Sequence, residues 1–140
     1  MSGMDDAMCV RVAARSRELA DRMFAVPGSG RADRRARSAA RRLCDVCPVR
    51  DLCLSETLVR RTRDDVLAGG LTYVERCVLS HEIADDLGVT LRGMSALSSD
   101  EVLSWLRAHP DAVERARART RAYWRSFKHP HGVRAQGRLF

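Results

Sequence analysis

Four cysteines constrain this 140-residue chain more than any other feature: Cys9, and then Cys44, Cys47 and Cys53. The Cys44-Asp45-Val46-Cys47 segment can bring two thiols to one site from a helix end, where the chain bends. Cys53, six residues beyond Cys47, falls in the second turn of the following helix and can face back toward that site. Cys9 must arrive from a distant N-terminal segment, so anything held by all four would tie that segment to the core. Any single cysteine could be no more than a small buried hydrophobe, but that role accounts poorly for four of them in this arrangement. Four thiolates suit either a zinc ion or an iron–sulfur cluster. Zinc sites more often have two closely spaced C-x-x-C pairs, and this chain has one, which tilts the reading toward a cluster. Arg41, Arg42 and Arg50 lie near in sequence to offset the negative charge of four thiolates around a [4Fe–4S] core.

The compartment matters to that chemistry. No apolar run approaches the ~20 residues that span a bilayer. The first six residues hold two acids and none of the basic groups that open a secretory signal. The expectation is a cytoplasmic protein with no membrane partner, whose cysteines serve metal or redox chemistry rather than structural disulfides. Aromatic residues make up only 5% of the chain, so its core is thin and a metal or cluster would act as a staple.

Apolar spacing predicts an all-α fold. A helix is expected over 11–26 from Val12, Leu19 and Met23, ended by the Pro27-Gly28-Ser29-Gly30 loop. A second helix over 31–43 has Ala36, Ala39, Ala40 and Leu43 on one face and delivers Cys44. Pro48 opens a third, running to about Arg61. Gly69-Gly70 marks a turn, and a helix over 72–87 is closed by Gly88. A loop over 90–99, a short helix over 100–108 and a last helix from Pro110 to Phe127 complete the chain. No stretch alternates at period two.

Taken together, Cys9, the run from Cys44 to Cys53 with Pro48-Val49-Arg50 inside it, and Ala68-Gly69-Gly70-Leu71-Thr72 leading to Glu75-Arg76 resemble the WhiB-like family. That family carries an upstream cysteine, C-x2-C-x5-C and a glycine-rich turn. The stretch from Asp21 to Ser29 is similar to the family's segment between its first two cysteines, and the resemblance covers roughly residues 8–80. It implies a small helical domain with a [4Fe–4S] cluster on Cys9, Cys44, Cys47 and Cys53, sensitive to oxygen or nitric oxide. It also implies a role in transcription, commonly through the promoter-binding domain of a sigma factor. Ala68, Gly69 and Gly70 form the expected partner-binding turn. The family usually reads G-[VI]-W-G-G there, so Ala68 replaces a tryptophan and the sigma-factor or RNA polymerase contact is expected to be weakened. The tail also lacks the Gly-Arg-Pro minor-groove motif of some members.

Residues 81–140 are then a helical basic extension. Charge is concentrated at the two ends: residues 1–43 hold ten basic against five acidic groups, and residues 111–140 hold eight against two. All but one of the chain's 25 basic side chains are arginine, which binds phosphate and carboxylate bidentately. On the last helix, Val113, Ala116, Thr120, Tyr123, Trp124 and Phe127 form one stripe. It is flanked by Arg117, Arg121 and Arg125 on one side and by Arg115 and Arg119 on the other, and these five arginines are the expected DNA contacts. Residues 83–90 resemble the first half of a helix-turn-helix, but Leu91-Arg92-Gly93-Met94-Ser95 makes a poor recognition helix. Cys77 is expected to pack in the core, with a resolving thiol for a cluster-free form as the alternative. The histidines show no ligand spacing. The function expected is a redox- or nitric-oxide-responsive transcriptional regulator, not an enzyme. The alternatives are a thiol–disulfide oxidoreductase using the C-x-x-C without a cluster, and a structural zinc protein. An oxidoreductase would want a βαβ setting, and no strand pattern precedes Cys44.

Overall fold

The computed structural model describes residues 3–25, 28 and 30–127. The all-α expectation holds: seven α-helices, α1 to α7, carry the fold, and among the described residues there is no strand beyond an isolated bridge between Ala68 and Leu71. The Pro27 loop and the His129-Pro130-His131 tail fall largely or wholly outside the described residues.

The first expected helix is two. α1 (Met8–Arg15) and α2 (Arg17–Phe24) part at Ser16, which is extended and accepts a hydrogen bond from the Leu19 N–H at 3.1 Å. A serine hydroxyl offers the backbone this alternative to a continuous helix, and the apolar spacing that suggested one helix is blind to it. The break lets α1 and α2 both pack on α3 (Arg31–Asp45), around a small core of Ala20, Met23, Phe24, Ala40 and Leu67. The alanines of α3 allow its neighbours to approach closely.

The remaining helices form a second, larger core. α4 (Arg50–Arg60) stops at Arg61, a left-handed residue at φ 52°. α5 (Tyr73–Leu87) begins with a reciprocal cap between Thr72 and Glu75 and ends at Gly88, φ 68°. α6 (Ser99–Ala108) starts from a like cap, Ser98 with Glu101, and α7 (Ala112–Phe127) closes the bundle. Leu54, Leu79, Ile83, Met94, Val102 and Ala116 meet in its centre. Residue 80 lies inside α5, and this one core runs from α4 to α7 across it. Between α5 and α6 the chain makes a 3₁₀ turn, Arg92–Ala96, with Met94 fully buried. Residues 91–95 therefore form no recognition α-helix, and the 3₁₀ turn stands where the second helix of the expected helix-turn-helix would begin.

The two cores are clasped by arginines. Arg37 of α3 donates to the carbonyls of Phe24 (3.2 Å), Ala25 (2.5 Å) and Asp65. Arg41 pairs with the buried carboxylate of Glu75 at 3.0 Å, and Arg117 of α7 reaches Asp45 at the end of α3 at 2.9 Å. No helix among the described residues is long and apolar enough to cross a membrane.

A four-cysteine candidate metal centre

The cysteines stand at the seam between the two cores. Cys9 lies in the first turn of α1, earlier than the expected helix began, and Cys44 in the last turn of α3. Both pack against the smaller core. Cys47 occupies the turn between α3 and α4, where its sulfur accepts the Met8 N–H at 3.5 Å. Cys53 sits on α4 beside the fully buried Leu54. All four are half-buried free thiols, and each of Cys9, Cys44 and Cys53 feels the charge of other members of the set. The structure therefore brings the four expected ligands together from four separate pieces of chain. Among the described residues no three His, Cys, Asp or Glu side chains draw close enough to hold a single metal ion.

The glycine turn shapes the same site from within. Gly69 and Gly70 have φ of 58° and 81° and are buried rather than displayed. The Gly70 N–H approaches the Cys44 sulfur and the Gly69 N–H the Cys53 sulfur, and each favours the thiolate. A Cβ on Gly69 would stand 2.9 Å from Cβ of Leu54; one on Gly70 would stand 2.6 Å from Nη2 of Arg117 and 3.2 Å from Cβ of Cys44. Glycine is required at both positions by backbone conformation and by space. Ala68, which pairs with Leu71 at the base of the turn, is only half-buried. Glu75 and Arg76, which sequence reading noted only as a motif, hold this turn in place. Arg76 is buried and donates to the carbonyls of Asp64 (2.6 Å), Val66 (2.7 Å) and Leu71 (3.0 Å).

The cations near the thiols are not those expected. Arg41 is taken by Glu75, Arg50 by Asp51 at 3.2 Å, and Arg42 is exposed on the outer side of α3. Instead Arg37 interacts electrostatically with Cys44, and Arg76 with Cys53. Arg37 could have been found: it precedes Cys44 by seven residues, two turns, and so shares its face of the helix. Cys77 is half-buried rather than central, and hydrogen-bonds with the Tyr73 side chain.

Of the five arginines expected at DNA, two are paired with acids within the fold. Arg117 is buried and committed to Asp45, Glu114 and the Gly70 carbonyl, so it has no face for a phosphate. Arg115 pairs with Glu82 at 2.6 Å, and Arg119 borders a depression containing Glu82, Asp85 and Asp86. Arg121 and Arg125 stand exposed beside Trp124. The stripe docks only through its first half, since Trp124 is 47% exposed.

Burial pushes the thiols of Cys44, Cys9 and Cys53 up, Cys44 to about 11. Well below pH 9 these thiols are neutral whether the chain is folded or not. As pH rises from 9 toward 11, the unfolded chain releases these protons first, so native stability falls. The urea midpoint of reduced, metal-free protein is expected to drop between pH 8 and pH 10, and less so in a Cys44→Ala variant. A midpoint equally pH-dependent in both would place the titration elsewhere.

In a comparison with protein families, a family described as transcription factor WhiB fits residues 5–79. Neither the curated proteins nor the solved structures return a match.

Proposed function

This chain belongs to the WhiB family of transcription factors, and we propose that it is a redox- or nitric-oxide-responsive regulator that holds a [4Fe–4S] cluster and acts on DNA together with a sigma factor. The convergence of Cys9, Cys44, Cys47 and Cys53 at the seam of two cores is the observation that carries this reading. These four thiolates would hold the cluster, which when bound supplies the chemistry that responds to oxygen or nitric oxide. The donor set fits it: four cysteines, two backbone N–H groups aimed at sulfurs, and the cations Arg37 and Arg76 within electrostatic reach. Hydrogen bonds to ligand sulfurs are one of the levers that set a cluster's reduction potential.

Thiol–disulfide exchange fits less well. That chemistry needs a lowered thiol pKa, typically at a helix N-terminus. Here Cys44 lies at the C-terminal end of α3, where the helix dipole disfavours a thiolate, and burial raises it further. On the partner side, Ala68 offers little of the aromatic surface that dominates interface energies, and Trp124 is the exposed aromatic nearest to supplying one.

Protein prepared without oxygen from iron-supplied cells is expected to be brown, with equal iron and acid-labile sulfide and a broad visible absorption that bleaches in air. A colourless, zinc-loaded product from the same preparation would rule the cluster out.

A further inference from the structure

The arginines of α3 fall into two sets. Arg37 and Arg41 point inward and are consumed by carbonyls and by Glu75. The side chains of Arg31, Arg34, Arg35 and Arg42 are exposed, make no hydrogen bond or ion pair with the described residues, and with Ser38 line one shallow depression. At 100° per residue these five positions fall within about 100° of the helix circumference and extend over about 16 Å of its axis. Neither acid of the helix neutralises them. Asp33 is turned aside toward Arg22 at 3.8 Å, and Asp45, at the C-terminal end, is held by Arg117.

We propose that this arginine face of α3 is a phosphate-backbone contact surface for duplex DNA. The inference rests on the reading of the chain as a DNA-acting regulator and names the surface. Four like charges one to eleven residues apart on one helix face repel one another mildly, and a polyanion removes that repulsion. The face is long enough to meet phosphates on both sides of a major groove about 12 Å wide. A protein partner fits it worse, since interface cores require aromatic or aliphatic anchors and this depression is lined by arginines and one serine. On α7 only Arg121 and Arg125 stand clear of acids, since Arg117 is internal and Arg115 and Arg119 stand among acids, so α7 offers a shorter run of cations than α3. The face also belongs to the helix that carries Cys44, so what happens at the thiols and what happens at the duplex share one rigid element.

The test is the salt dependence of anaerobic, cluster-loaded protein binding a random-sequence duplex of about 25 base pairs, followed by fluorescence anisotropy. In the quadruple variant Arg31→Gln, Arg34→Gln, Arg35→Gln, Arg42→Gln, the slope of log K against log salt should fall by about 3–4 units, roughly 0.9 for each phosphate contact. Affinity at low salt should drop more than about tenfold. Iron content and helical circular dichroism should match the wild type, and the corresponding quadruple Lys variant should recover most of the slope. Arg119→Gln, Arg121→Gln, Arg125→Gln should change the slope less. A quadruple Gln variant with the wild-type slope would overturn this surface while leaving DNA action standing. A wild type with no salt-dependent duplex binding, or one that prefers an acidic peptide, would overturn both.

Discussion

Cys44→Ser, prepared without oxygen and supplied with iron and sulfide, is expected to retain about a tenth or less of wild-type iron, since removing even an outer-shell partner of a metal site costs 10–100-fold in affinity. Cys9→Ser, Cys47→Ser and Cys53→Ser should behave alike, and Cys77→Ser should load normally. The contrast follows from position. The four join α1, the end of α3, the turn after it and α4, whereas Cys77 lies on α5 beside Tyr73. The effect should spread beyond iron. The smaller core rests on five buried side chains, two of them alanine. Without its thiolate links, that half is held to the other chiefly by Arg37, the Arg41–Glu75 pair and Arg117. Amide exchange in α1 and α2 should therefore accelerate much more than in α5 and α6. Normal iron in Cys9→Ser would remove the N-terminal helix from the site; lost iron in Cys77→Ser would mean the ligand set has been misassigned.

What could be read from the sequence divides along physical lines. Spacing carried the helix count after residue 31, because 3.6-residue periodicity is a local signal, and it singled out the four cysteines that the fold sets along one seam. The break at Ser16 was missed because a capping hydroxyl acts on the backbone and leaves no trace in apolar spacing. The glycine pair reads as a turn in the sequence, but its packing does not. Only the fold shows that α4 and α7 leave no room for a Cβ there and that both N–H groups face the sulfurs. The arginines were the least legible. An exposed cation at a phosphate and a buried cation at a carboxylate look the same in a basic amphipathic helix, and what separates Arg34 from Arg117 is a partner 72 residues away at Asp45.

Arg117→Met should test that distinction with a large effect on stability. The guanidinium is 6% exposed and donates to Asp45 Oδ1 (2.9 Å) and Oδ2 (3.3 Å), Glu114 Oε1 (2.7 Å) and the Gly70 carbonyl (2.9 Å). Removing one partner of a buried ionic network commonly costs 3–5 kcal/mol, because the groups left behind lose their compensation. Asp45 and Glu114 keep contact with water, their side chains being 41% and 67% exposed, so their share is discounted. The buried Gly70 carbonyl has no such relief, and an orphaned acceptor costs about 1–3 kcal/mol. A net destabilisation of about 2–4 kcal/mol is expected, read as a lowered urea midpoint with an unchanged m-value. Asp45→Asn and Glu114→Gln should each cost less, about 1 kcal/mol, since a solvated amide replaces a solvated carboxylate. The residue that holds the glycine turn against Cys44 is internal, so the folded, cluster-loaded Arg117→Met protein should keep the wild-type salt slope on DNA. An unchanged urea midpoint together with a slope lowered by about one unit would return Arg117 to the phosphate-binding surface.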